Sequence, residues 1–360
     1  MRLHQLTLQC FRNIEFARLE LAENHVFFLG ANGMGKTNVL EAISLMTALR
    51  SFRTTKRKAM IQQGCEESGT FYTLEHERHH QTELLIRHRS GKQEVYLDDR
   101  KVNTLGEVLC DFPTVVLCAE DSHLVRGSPG ARRKFMDLTL STNPAYLSHL
   151  MHYHRALRQR NAALREPATG RNIYEAFERE MANHAVELVA HRVAALQTIA
   201  AETGRVYGTI SNHQEAISVH YAPNISPFEY AEEWIAHWAN HRETDRQKGH
   251  TANGPHRDDF QLLCKELPAR EYASEGQQRT LVLALKRAQA HYMHQQTGVK
   301  PLILADDILG QLDAERQKHF WQFLGQDNQV FATGTSMPAN DASNTWKIYH
   351  VEHGHFTANA

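Results

Sequence analysis

Gly30-Ala31-Asn32-Gly33-Met34-Gly35-Lys36-Thr37 sets Gly, four residues and Gly-Lys-Thr in the order that cradles a polyphosphate. Glycines let the backbone curl so that successive N–H groups point at phosphate oxygens; Lys36 offers a point charge to the β- and γ-phosphates, and the Thr37 hydroxyl is a Mg²⁺ ligand. The string predicts binding of a nucleoside triphosphate. Far downstream, Pro301-Leu302-Ile303-Leu304-Ala305 runs into Asp306-Asp307. An apolar strand ending in two carboxylates suits a Walker B element, in which Asp306 anchors Mg²⁺ and Asp307 polarises an attacking water. Together the two stretches supply the parts of a phosphoryl-transfer site, with Lys36 and Asp307 as the catalytic pair.

These residues need particular elements to hold them. Val26 to Leu29 form an apolar run before the loop, and Val39, Leu40, Ile43 and Met46 follow at helical spacing, which predicts strand, loop and helix in that order. Short apolar runs at Leu6 and Leu8, Phe71 to Leu74, Leu84 to Ile86, Val95 to Leu97 and Val115 to Leu117 predict a β-rich section on either side of that helix. Ser128-Pro129 then reads as a helix start, and a mostly helical section extends to about residue 249. Within it, Leu150, Leu157 and Leu164, with Leu147, His154 and Asn161, give a short coiled-coil pattern. A return helix passes through Phe177, Met181, Leu188, Leu196 and Ile199, and a third carries a core stripe of Phe228, Trp234 and Trp238. The fold class is α/β, with residues 1–125 and 250–360 forming one discontinuous domain and 126–249 a helical insertion.

Composition narrows the function classes. The 360 residues are 41% hydrophobic and 22% charged, without an apolar run long enough to span a membrane or a signal-like start, so a cytoplasmic protein is expected. Five cysteines without a C-x-x-C pair argue against a disulfide framework or a zinc site and predict buried, reduced thiols. The 24 histidines follow no metal-ligand spacing. A formal net charge of −1 gives no global attraction to nucleic acid, so any such contact must be local. Two clusters qualify, each readable as a solvated face or as a DNA contact: Arg50, Arg53, Lys56, Arg57 and Lys58, and Arg126, Arg132, Arg133 and Lys134.

Ala273-Ser274-Glu275-Gly276-Gln277-Gln278-Arg279 opens a helix upstream of the Asp306 strand. Ser274 and Gln277 fit a capping box, which needs no ligand. The same residues also fit an anion site at a helix N-terminus and resemble the signature of ABC-type ATPases, in which Ser274, Gly276 and Gln277 would meet a γ-phosphate bound by the opposite subunit. Phe11-Arg12-Asn13, Leu40-Glu41-Ala42-Ile43, Ser51-Phe52-Arg53-Thr54, Glu120-Asp121, Val125 to Pro129 with Arg132-Arg133, Gly254-Pro255-His256-Arg257-Asp258-Asp259 and the signature string follow in an order that resembles the RecF family of bacterial DNA replication and repair proteins.

The resemblance spans nearly the whole chain. It implies an ABC/SMC-type P-loop ATPase head with an inserted compact helical arm, using ATP and Mg²⁺ and forming an ATP-dependent homodimer on single-stranded, double-stranded or gapped DNA. It further implies action with RecO and RecR in loading RecA at gaps during DNA repair and recombination, slow DNA-dependent hydrolysis that serves as a switch, and no membrane. One departure is Gln311, where the family tends to carry an acid; it leaves Asp313 for the cross-subunit role. An SMC-like ATPase scaffold of another DNA-processing or defence system is the alternative.

Overall fold

Leu6 and Leu8 are completely buried while polar residues alternate with them, the pattern of a sheet with one packed face and one wet face. The computed structural model describes residues 1–89, 91–104, 106–166, 170–211, 215–309, 314–325, 327–336 and 346–358. The chain divides into two units, Met1–Asp121 with Leu285–Ala360, and Ser122–Ala284. From the N-terminus it forms β1 (Arg2–Phe11), β2 (Ile14–Glu20), β3 (His25–Leu29), α1 (Lys36–Ala48), β4 (Glu67–His76), β5 (His80–Arg89), β6 (Lys92–Leu97), β7 (Arg100–Lys101), α2 (Gly106–Leu109) and β8 (Thr114–Leu117). The second unit adds α3 (His123–Arg126), α4 (Pro129–Leu140), α5 (Pro144–Ala163), α6 (Arg171–Ile210), β9 (Ile217–Ala222), α7 (Ala231–Asn240), α8 (Arg242–Lys248), β10 (Asp259–Cys264), β11 (Leu267–Pro268) and α9 (Ala269–Tyr272). Then follow α10 (Glu275–Thr297), β12 (Leu302–Asp306), α11 (Ala314–Phe320), β13 (Val330–Gly334), β14 (Lys347–Glu352) and β15 (His355–Ala358).

The first unit holds two sheets. One is antiparallel, in the order β2-β1-β4-β5-β6-β7. The other runs β15-β14-β3-β13-β12-β8, parallel except for the terminal β15. Its central strands are apolar almost throughout, with Val26, Phe27 and Phe28 on β3 and Leu302 to Ala305 on β12 at or near zero exposure, as a sheet covered on both faces requires. Val39, Leu40, Ile43 and Met46 of α1 share one apolar core with Leu6, Tyr72 and Ile86 of the first sheet and Phe28 and Leu304 of the second. The helix carrying the phosphate loop is thereby held from two sides.

Three expectations change. The section expected to be helical contains β9, which pairs antiparallel with β10; this long-range ladder keeps residues beyond 250 with the helical unit, and the division falls at 284/285 where the sequence suggested 249/250. On α5 Tyr146, Tyr153 and Arg160, also seven apart, are at or below 1% exposure, while Leu150 is only partly buried. Arg160 can sit there because Glu178, Asp245 and Thr251 accept its hydrogen bonds. The cysteines are not five separate thiols: Cys110 and Cys264 are buried, but Cys10 and Cys65 face each other with their sulfurs in contact. Trp234 and Trp238 are core residues, as their spacing suggests.

His88 on β5 is 1% exposed, and both of its ring nitrogens lack partners among the described residues. Its strand neighbour Ser68 is equally buried and equally unpartnered. Burial, with the Arg57 charge adding to it, pushes the imidazole down to about 4. The unfolded chain therefore takes up this proton from about pH 6.5 downward while the folded chain refuses it, so stability falls as pH drops through that window. His88→Phe should lose about 2 kcal/mol less than the parent between pH 7 and pH 5 in urea unfolding; equal losses would contradict the buried neutral assignment.

Candidate nucleotide site

β3 delivers the chain to Gly30, whose N–H donates to the Gly334 carbonyl at 3.2 Å. A Cβ at Gly30 would lie 2.4 Å from the Val351 carbonyl oxygen, so β14 passes too close for any side chain. Gly35 caps α1 at φ 114°, a left-handed conformation that favours glycine. The first turn of α1 has neither an acidic residue nor a capping side chain, which leaves its N–H groups and positive dipole end available to an anion.

Lys36 folds back over the loop, its Nζ donating to the carbonyls of Gly30 at 2.6 Å and Ala31 at 2.8 Å. Burial lowers its pKa, against the opposing pull of Asp307 and Asp306. The Thr37 hydroxyl donates to Asp306 Oδ1 at 2.8 Å, and Thr333 on the neighbouring β13 donates to the same oxygen at 2.8 Å. Burial raises the Asp306 pKa, and these two hydroxyls counteract it. Asp307 follows in a left-handed conformation, φ 52°, with its N–H bonded to Thr333 Oγ1. Gly30 to Thr37, Asp306 and Asp307 thus come together in the first unit.

Thr333 and a buried carboxylate, Glu41, were missed as site residues. Glu41 is fully buried one turn into α1 and accepts both Arg12 Nε at 2.9 Å and Arg12 Nη2 at 2.6 Å, the Ser51 hydroxyl, and Arg53 Nη1 at 3.3 Å. Arg53 also donates to Asn38 Oδ1 at 2.8 Å, Asn38 to Asn13, and Asn13 to the Met34 carbonyl. A chain of hydrogen bonds therefore joins the phosphate loop to the basic segment. The signal was available, since a charge beside Leu40, Ala42 and Ile43 on an apolar helix implies a buried partner. All five basic residues of the segment are exposed, and Arg53 alone of them is bonded to Glu41 and Asn38.

Ser274, Gly276 and Gln277 belong to the second unit. There the capping box forms: Ser274 N donates to Gln277 Oε1 at 2.5 Å and Gln277 N to Ser274 Oγ at 3.3 Å. Gly276 lies in the first turn, its carbonyl accepting from Thr280. The other basic cluster is committed to internal contacts, with Arg132 bonded to both Asp259 oxygens at 2.8 Å, Arg133 to the Asp258 carbonyl and Arg126 to Gln278. Asp258 is bonded to Arg192 and Tyr221, so the Gly254 to Asp259 string works as a scaffold inside this unit. Gln311 and Asp313 lie outside the described residues.

A family model described as "RecF/RecN/SMC N terminal domain" matches residues 2–357. The DNA replication and repair protein RecF of Streptococcus equi subsp. equi (strain 4047) is 35% identical over 358 residues, covering 94% of this chain and 92% of the relative. RecF of Rippkaea orientalis is 34% identical, with 95% of each chain covered. A solved structure described as "the recombination mediator protein RecF-ATP in RecFOR pathway" superposes with a TM-score of 0.90 at 26% identity, covering 100% of this chain and 98% of that one. An Smc head bound to the C-winged helix domain of ScpA matches at TM-score 0.58 and 13% identity, a likeness of fold. Among the described residues no helix is long and apolar enough to cross a membrane.

Glu41→Gln would leave Arg12 with its main partner neutralised in a buried site, and should cost about 3 kcal/mol in urea unfolding. A change within about 0.5 kcal/mol, as at an ordinary surface position, would show that the carboxylate does not hold this segment.

Proposed function

The chain belongs to the RecF family of the RecF/RecN/SMC proteins, and on that premise we propose that it is a DNA-binding ATPase whose ATP-bound form is a dimer on gapped DNA. The observation that supports this most is the Thr37 hydroxyl 2.8 Å from Asp306 Oδ1 at the foot of a phosphate loop, two hard oxygen donors of the kind Mg²⁺ takes beside bound phosphates. The ATP named with the solved relative favours adenosine triphosphate as the nucleotide.

In this reading the N–H groups of Ala31, Asn32, Gly33, Met34, Gly35 and Lys36 cradle the phosphates, while the Gly30 N–H stays on the Gly334 carbonyl and fixes where the loop begins. The Lys36 ammonium exchanges the Gly30 and Ala31 carbonyls for β- and γ-phosphate oxygens, a gain because charge-assisted bonds exceed those to neutral carbonyls. Thr37 and Asp306 would hold Mg²⁺, whose charge would offset that of the phosphates. Asp307 accepts a hydrogen bond from the attacking water and orients it. The Ser274 hydroxyl already accepts from Gln277 N, yet its own proton remains to donate, so it fits a γ-phosphate held by a second subunit, with Gly276 and Gln277 at the same helix start. Hydrolysis would remove that link and open the dimer, which makes turnover a slow, DNA-dependent switch. The family and the pathway named with its solved member favour action with RecO and RecR to load RecA at single-strand gaps, in the cytoplasm.

Lys36→Ala should abolish ATP binding measured by calorimetry, whereas Asp307→Asn should bind ATP normally and turn over roughly 10² to 10⁴-fold more slowly. Retained affinity in the first variant, or normal turnover in the second, would remove the assigned roles.

The exposed Arg50, Lys56, Arg57 and Lys58 are the favoured DNA contacts, with Arg53 as their tether to Glu41. Replacing Lys56 and Arg57 by alanine should weaken DNA binding evenly across sequences and lower the salt slope by roughly one unit for each phosphate no longer neutralised. An unchanged slope would move the DNA to another surface.

A further inference from the structure

Cys10 and Cys65 take no part in the nucleotide site, yet the fold brings them together across 55 residues of sequence. Cys10 is the penultimate residue of β1 and adopts a left-handed φ of 49°. Its carbonyl accepts from Gln62 N at 2.9 Å, Arg12 N donates to the Met60 carbonyl at 2.9 Å, and Phe11 forms an antiparallel bridge with Ile61. These bonds lay the chain that follows the basic segment alongside the end of β1. A turn closed by Cys65 N and the Gln62 carbonyl then sets Cys65 beside Cys10, with Cα atoms 6.3 Å apart, inside the span of one disulfide. Both residues are half-exposed and so reachable by small reagents, unlike the buried Cys110 and Cys264.

The enclosed stretch contains the phosphate loop, α1 and the basic segment. The N-terminal end of that segment is already fixed, since Ser51 and Arg53 bond to Glu41 and Ser51 Oγ accepts from the N–H groups of Arg53 and Thr54. The C-terminal end is held by the β1 backbone bonds and by Met60, which is buried in the shared core, and joining the cysteines adds a covalent tie beyond them.

We propose that Cys10 and Cys65 are a reversible thiol-oxidation site, closed by a peroxide and reopened by a thiol reductant, which pins the basic segment to β1 when closed. One thiolate attacks a peroxide oxygen, cleaving the O–O bond to give a sulfenic acid and one water after protonation. The second thiolate attacks that sulfur and expels a second water. Two electrons pass from the sulfurs to the peroxide, and both thiol protons end in water. In a reducing compartment such a bond is transient, which suits a sensor better than a permanent staple.

The test uses the full chain without nucleotide or DNA, so it stands apart from the functional reading above. After treatment with stoichiometric hydrogen peroxide, maleimide labelling under denaturing conditions should find three of the five thiols left, with mass spectrometry showing the Cys10 and Cys65 peptides joined. Dithiothreitol should restore all five. Tryptic cleavage within residues 50–58 should be about threefold or more slower in the oxidised chain than in the re-reduced one, because local opening is restrained. Cys65→Ser and Cys10→Ser should each abolish both the joined peptides and the redox dependence of cleavage. Five labelled thiols after peroxide, or a bridge among other cysteines, would overturn the site; a Cys10–Cys65 bridge with unchanged cleavage would overturn the pinning.

Discussion

Asp306 Oδ1 accepts two hydroxyl hydrogen bonds, from Thr37 and Thr333, and through them one half-buried carboxylate ties the start of α1 to the ends of β12 and β13. Everything that positions the phosphate loop bears on this contact. The parallel register that pairs Asp306 with Thr333 and Gly334 with Leu29 sets the distance between the loop and the acid. A slip of one residue would turn Asp306 to the other face of the sheet and bring Ala305 or Asp307 to its place. Burial penalises the charged carboxylate, and the two hydroxyls offset part of that cost. The uninterrupted apolar strand Leu302 to Ala305 fixes the register and holds an acid where an acid alone would not stay.

Glu41 extends the arrangement outward. A carboxylate with no exposure, bonded to Arg12 in the turn after β1 and Arg53 from the basic segment, is expensive to bury and far more expensive to leave unpaired. The segment after α1 is therefore anchored where it starts, beside Asn38 and Asn13 at the phosphate loop. Whatever the exposed lysines and arginines beyond Arg53 bind is mechanically connected to the loop through side chains whose hydrogen bonds leave little slack.

Much of this site was legible because phosphate chemistry fixes residue types at fixed spacings. Gly30 had to precede Gly35-Lys36-Thr37 by a fixed gap of four residues, and an acid had to follow a buried strand, so local sequence sufficed. The ABC/SMC-type head was legible from those motifs together with the longer strings that resemble one family. What could not be read are the pairings between distant residues. Glu41 with Arg12, Thr333 with Asp306 and Cys10 with Cys65 are each ordinary in isolation. β9 was hidden because one six-residue strand inside a helical stretch has little periodicity of its own, and its stability comes from β10, well over thirty residues away. On α5 the leucine heptad was the visible signal, yet Tyr146, Tyr153 and Arg160 are buried more deeply because their polar ends find partners.

A nucleotide site completed by two chains is the central claim, and mixing tests it most directly. Lys36→Ala chains and Ser274→Arg chains are each expected to be inactive, the first for want of ATP and the second because arginine occupies the place of the opposite γ-phosphate. Combined, they can assemble one intact site from the Lys36 of one chain and the Ser274 of the other. ATP turnover of the mixture in the presence of gapped DNA should therefore rise above that of either chain alone. A mixture as inactive as its components, with Ser274→Arg chains unable to bind ATP by themselves, would contradict the composite site and give Ser274 a role within its own subunit.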